Sequence, residues 1–162
     1  MRFMRKKILL ILVGIFVLIQ FIRPARNLST VESKNDISKH YEVPQEVKTV
    51  LEVACNDCHT NNTNYPWYTN IQPAGLWMQW HVNEGKQHLN FSEFASYTPK
   101  RQHHKLEETI EMIETNEMPL NSYLWIHKDA KLSADQKQML INWATQLKDK
   151  IARENNIVPE EK

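Results

Sequence analysis

Cys55-Asn56-Asp57-Cys58-His59 is the stretch on which the reading of this chain turns. Two cysteines three positions apart, followed at once by a histidine, form the pattern that covalent attachment of a c-type haem requires. The spacing has a chemical reason. On a tight turn or helix end each thiol can form a thioether to one of the two vinyl groups. The histidine that follows is then held under the ring, where its imidazole can ligate the iron. Competing readings of the same residues fit less well. Thiol-disulfide exchange accompanies a thioredoxin-like alternation of strands and helices, and strand-like alternation is almost absent here. A tetrahedral zinc site needs four ligands, usually from two separated pairs, whereas Cys55 and Cys58 are the only cysteines. A disulfide between them would close a tiny loop and add little stability.

A chain of 162 residues suits one compact domain plus appendages, and a net charge of +1 argues against nucleic acid as the main partner. Arg2, Arg5, Lys6 and Lys7 precede an apolar run over residues 8–22 that only Gly14 and Gln20 interrupt. Residues 1–7 therefore read as a basic cytoplasmic tail and residues 8–22 as a transmembrane signal anchor. At about 1.5 Å per residue the run covers only about 22 Å. Phe3 and Met4, with snorkelling Lys7 and Arg23, extend the compatible length toward a hydrocarbon core of roughly 30 Å. Arg23-Pro24-Ala25-Arg26 lacks the small-x-small pattern of a cleavage site, and no nearby cysteine can carry a lipid, so the segment is expected to be retained. The basic excess before the run puts the N-terminus in the cytoplasm, although Arg23 and Arg26 weaken the asymmetry. Everything after residue 22 would then lie on the periplasmic or outer side of a bacterial cytoplasmic membrane, the side on which c-type haem is attached. Residues 23–40, polar and charged from Asn27 onward, read as a linker of extended or disordered chain. The C-terminal end of that linker reads equally well as a loosely packed leader of the domain.

Residues 41–155 form the predicted haem-binding domain and residues 156–162 a polar tail. The periodicity predicts an all-α domain. Pro44 suits a first helical position, and Val47, Val50, Leu51 and Ala54 recur at helical spacing, so a short amphipathic helix delivers Cys55. Residues 60–73, dense in Asn, Tyr and Pro, read as a long ordered loop walling the cofactor. A second helix is expected from Ala74 to about His88 on the strength of Leu76, Trp77, Trp80 and Val82, with Gly85 a weak point inside it. Thr98-Pro99 opens a third with Leu106, Ile110 and Ile113 on its stripe. Ser133 with Gln136 gives a capping box for the last helix, whose apolar face carries Leu140, Trp143, Ala144, Leu147 and Ile151. A core this modest needs the porphyrin as its apolar centre, so residues 60–130 are expected to be poorly ordered without it.

The run Cys58-His59-Thr60-Asn61-Asn62-Thr63-Asn64-Tyr65-Pro66-Trp67-Tyr68 resembles that of the small bacterial haem-binding domain proteins related to cytochrome c. Glu84-Gly85-Lys86, Leu89-Asn90-Phe91-Ser92-Glu93-Phe94, Met118-Pro119-Leu120, Tyr123 and a closing helix with Trp143 are similar too, so the likeness spans roughly residues 50–147. The resemblance implies a haem c bound through Cys55 and Cys58, His59 as an iron ligand and a cytochrome-c-like helical fold. It implies no particular reaction. For the sixth ligand, Met118 is the first choice. A Met/His pair is a common low-spin arrangement that raises the potential, and in cytochrome-c-like folds the distal methionine comes from a loop before the C-terminal helix. His81, among aromatics on the second helix, is the competitor and would give a bis-histidine iron of lower potential. His103 and His104 read as facing solvent or a propionate, and Arg101 as a candidate propionate partner. Trp67, Tyr68, Trp77, Trp80 and Tyr123 could line the ring or simply pack the core.

Two functions follow as expectations. One is a membrane-tethered monohaem electron carrier serving redox partner proteins, which needs no catalytic acid or base, and no convincing set is found. The other is a haem enzyme or small-ligand sensor with an open or exchangeable distal site. A haem-containing assembly subunit is a third, weaker reading.

Overall fold

The computed structural model describes residues 2–157, with the side chain of residue 2 also left aside. From residue 158 on, the expected polar tail lies outside the described residues. Among the described residues there is no strand, and the protein is all-α. Helix α1 (Arg2–Ile19) is followed by short α2 (Ile37–His40), α3 (Gln45–Ala54) and α4 (Asn56–His59). Then come α5 (Ala74–His88), α6 (Pro99–Glu114), short α7 (Asn121–Leu124) and α8 (Ala134–Asn155). Tight 3-10 turns over Trp67–Asn70, Phe91–Ser96 and Lys128–Ala130 link them.

The helix boundaries follow local chemistry. Thr98 caps α6, its side chain accepting from the Arg101 N–H, with Pro99 at the first turn where its missing N–H costs nothing. Ser133 and Gln136 close a reciprocal capping box on α8. Leu140, Trp143, Ala144, Leu147 and Ile151 of α8 are all buried, facing Leu106 and Ile113 of α6. Across this pair lies α3, which buries Val47, Val50, Leu51 and Ala54. The Trp143 indole N–H donates to the Glu42 carbonyl at 3.3 Å, fixing the entry to α3. The core thus packs against the element that ends in Cys55.

The helix of the N-terminal segment stops short of the end of the apolar run over residues 8–22. No helix among the described residues is long and apolar enough to cross a membrane. The cause lies in where α1 begins and ends. Its first two turns carry Arg2, Arg5, Lys6 and Lys7, and its helical part stops at Ile19. The apolar helical stretch of residues 8–19 is about 18 Å long at about 1.5 Å per residue. Residues 20–22 continue as tight turns, with Gln20, Phe21 and Ile22 each donating to the carbonyl three residues back. The linker read over residues 23–40 has no helix or strand from Arg23 through Ser29, yet it is bound along the domain rather than loose. The Asn27 amide donates to the Thr60 carbonyl at 2.8 Å and to Thr63 Oγ1 at 2.9 Å, while its backbone N–H donates to the Tyr65 hydroxyl at 2.7 Å. Farther along, Ile37 is buried in the core.

Candidate functional site

Helix α3 ends at Cys55, whose N–H still donates to the Leu51 carbonyl, and α4 begins at once, so the five-residue motif bends around a helix junction. The Cys58 and His59 N–H groups both donate to the Cys55 carbonyl, at 3.1 and 3.0 Å. The one-turn helix therefore presents Cys55, Cys58 and His59 to a single cavity of about 620 Å3. That volume lies within the roughly 300–1,000 Å3 of small-molecule and cofactor sites. Leu51, Ala54, Leu89, Phe91, Leu132 and Leu140 supply much of its apolar wall, and Met118 lines it as well. All four residues singled out as cofactor-binding thus converge on one space.

Backbone groups orient the histidine. The His59 Nδ1 lies 2.9 Å from the Leu89 carbonyl. A carbonyl only accepts, so Nδ1 carries the proton and Nε2 keeps the lone pair that a metal takes. Burial holds the imidazole pKa below its ordinary value, with the Leu89 and Gly85 carbonyls pulling the other way, so the ring is neutral near pH 7. The thiols are neutral too. Burial pushes Cys55 up to about 12, with the Cys58 charge adding to it, and pushes Cys58 up to about 11, with Asp57 adding. Thiol-exchange centres lower the cysteine pKa instead, so this environment disfavours that chemistry. Among the described residues no group of His, Cys, Asp and Glu could hold a metal ion by itself.

The polar loop after the motif is ordered by side-chain bonds. Asp57 Oδ1 accepts from the Asn64 N–H at 2.9 Å, and the Asp57 carbonyl accepts from Thr63 Oγ1 at 2.6 Å. Asn61 donates to Glu93 Oε1 at 2.8 Å and accepts from the Asn90 amide at 2.9 Å, tying the loop to the segment after α5. The Tyr123 hydroxyl donates to Asp57 Oδ2 at 2.8 Å, bringing α7 onto the motif, and burial followed by this bond raises its pKa.

The other expected residues divide. Trp80, His81 and Tyr123 line the cavity, whereas Trp67, Tyr68 and Trp77 do not; His88, for which the sequence offers no supporting context, lines it as well. Nε2 of His81 is buried without a hydrogen-bond partner, and burial lowers the pKa of its ring. Arg101 is away from the cavity, its guanidinium 4.2 Å from the Tyr97 ring. His104 pairs with Glu108 at 3.1 Å. Lys105, one turn beyond Arg101, lines the cavity instead, with a side chain 13% exposed and bonded to Glu108. Met112, on the same helix, lines it too. Neither is legible in the sequence, because which face of α6 turns toward the cavity is decided by tertiary packing.

The donor set suits a haem: two neutral thiols, a histidine whose Nδ1 is held by a carbonyl, a thioether and a largely apolar lining. A family model described as a haem-binding domain matches residues 14–146. No curated protein and no solved structure matches the chain. With its matched stretch running from within α1 into α8 and enclosing the whole cavity, the chain belongs to the haem-binding domain family.

Proposed function

We propose that this haem-binding protein is a membrane-tethered monohaem electron carrier. Cys55 and Cys58 would hold a haem covalently, and His59 Nε2 and the Met118 sulfur would ligate its iron, as in a cytochrome-c-like domain. The observation that carries the reading is the convergence of these four residues on one cavity. Each neutral thiol suits addition across a vinyl group, its sulfur bonding one carbon and its hydrogen passing to the other. Bound there, the haem supplies one-electron redox chemistry. The polypeptide holds His59 in one tautomer through the Leu89 carbonyl and offers a soft sulfur from Met118. Its apolar wall limits water, which favours a raised potential. Support for the tether comes from α1, whose apolar residues from Ile8 to Leu18 are exposed, Leu10 by 71% and Phe16 by 48%. A helix apolar on all sides needs an apolar surrounding, and a short one is accommodated by local thinning and snorkelling of its basic flank. Residues beyond α1 would then lie on the outer side of the membrane, with redox proteins as partners.

The test is protein matured with c-type haem machinery. Expected are an intact mass above that of the polypeptide by one haem, and a six-coordinate low-spin spectrum. Its sulfur-to-iron charge-transfer band should disappear in Met118→Ala and persist in His81→Ala. Colourless protein with the mass of the polypeptide alone overturns the reading. The unpartnered Nε2 of His81 on the same cavity favours a second reading, an exchangeable distal site suited to a small-ligand sensor or a haem enzyme. A high-spin spectrum shifting at once with carbon monoxide or cyanide would select it.

A further inference from the structure

We infer that the haem domain rests directly on the lipid surface through an aromatic and apolar collar around the base of α1. The partner is the headgroup boundary of a bilayer. The inference rests on the anchoring role proposed for α1. Its first support is that α1 is clamped to the domain rather than hung from it. Gln20, the polar interruption of the apolar run, accepts from the Gln72 N–H at 2.9 Å and donates to the Gln72 carbonyl at 3.1 Å. The Gln72 amide returns a bond to the Ile22 carbonyl at 3.0 Å, and Gln72 is only 1% exposed. Arg23 donates to the Asn70 carbonyl at 2.7 Å and Arg26 to Asn70 Oδ1 at 2.6 Å. Such a junction leaves no slack for the domain to float away from the helix end.

The second support is what surrounds that junction. Phe21 is 79% exposed and Ile22 51%, and in the turn that receives the clamp Trp67 is 75% and Ile71 45% exposed. Trp125 and Ile126, at 72% and 62%, belong to the segment that is tied to this turn by the His127 Nε2, which meets the Tyr68 hydroxyl at 2.7 Å. Single exposed apolar side chains need no explanation. Here three chain segments bring large ones together where an apolar helix leaves the domain, with the exposed guanidinium groups of Arg23 and Arg26 among them. Tryptophan settles at the membrane interface, apolar ring inward and N–H toward headgroups. Arginine beside it suits lipid phosphates.

The experiment uses the full, haem-loaded chain in vesicles of phosphatidylcholine and phosphatidylglycerol, with hydroxyl-radical oxidation of each tryptophan read by mass spectrometry. Trp77, 48% exposed on α5 and outside the cavity, serves as the internal reference. Several-fold slower oxidation of Trp67 and Trp125 than of Trp77 is expected. Equal oxidation in protein that resists alkaline carbonate extraction leaves the anchor standing and overturns the collar. Release by carbonate overturns the anchor itself, and the collar with it. Protection that vanishes as the protein-to-lipid ratio falls means that a second copy covers the patch, which also overturns the collar.

Discussion

Asn116 follows α6 in the left-handed region, with φ at 62°, and it decides where Met118 goes. The Asn116 N–H donates to the Ile113 carbonyl at 3.3 Å and the Glu117 N–H to the Met112 carbonyl at 3.0 Å, which together make a Schellman cap. The Met118 N–H shares that Met112 carbonyl at 3.1 Å, so both methionines are set beside the cavity by one turn of backbone. A Cβ costs roughly 1–2 kcal/mol in this conformation; glycine has none, and asparagine offsets the cost with a local bond, here from its amide to the Glu114 carbonyl at 3.2 Å. Asn116→Ala should therefore lower stability by about 1 kcal/mol and weaken the sulfur-iron band, while Asn116→Gly should retain both. Thermal melts and visible spectra of the two variants decide. Glu93 carries a second residue-scale effect. Hydrogen bonds from Asn35 first, at 2.9 Å, and from Asn61 hold its carboxyl below the ordinary 4.5, with burial opposing them. A depressed carboxylate stabilises the fold fully above its unfolded pKa and loses that contribution as pH falls through the folded value. Stability should thus decline below about pH 4.5 less steeply in Glu93→Gln than in the parent, as followed by urea unfolding across that range.

Helix α5 shows why an element needs more than propensity. Gly85 reads as a weak point, since glycine in a helix interior costs about 1 kcal/mol relative to alanine. A Cβ there would stand 2.6 Å from the Cys58 carbonyl oxygen and 3.0 Å from the Cys58 Cβ, so the glycine lets α5 lie directly on α4. Overpacking typically costs about 1–3 kcal/mol, outweighing the propensity gain. Gly85→Ala should lower the melting temperature and the yield of covalently loaded protein, and an unchanged yield would contradict this packing argument. Elements of this kind mark what the sequence conveys. Thr98-Pro99, the Ser133 and Gln136 capping box and the Leu140 to Ile151 stripe announce α6 and α8 because capping and periodicity are local. Cys55, Cys58 and His59 are legible for the same reason, lying in one turn. The end of α1 at Ile19 is not, because Gln20 leaves the helix to pair with Gln72, a partner 52 residues away. Lys105, Met112 and the Leu89 carbonyl were likewise hidden, since their place beside the motif depends on how α5 and α6 pack around it.

At the scale of the whole molecule the cavity and the core are one object. Leu51, Ala54, Leu132, Leu140 and Trp143 belong to the buried cluster and also line the 620 Å3 space. Leaving an apolar space of this size unfilled forfeits packing on every wall, a heavy loss for a domain whose whole stability is about 5–15 kcal/mol. Without a large apolar occupant the walls must close or admit water, and either change separates α6 from the α3–α4 junction. Helix α8 can keep its capping box and much of its helicity alone, whereas residues 60–130, whose loop bonds presuppose the motif's position and whose α6 gives Lys105 and Met112 to the cavity wall, cannot. The haem-free Cys55→Ala, Cys58→Ala variant should therefore keep part of its far-ultraviolet dichroism. It should melt without a cooperative transition, and its amides should exchange fastest in that stretch. A sharp melt with native-like protection over residues 60–130 would mean that the polypeptide fills its own centre, and that the haem enters a finished fold rather than completing one.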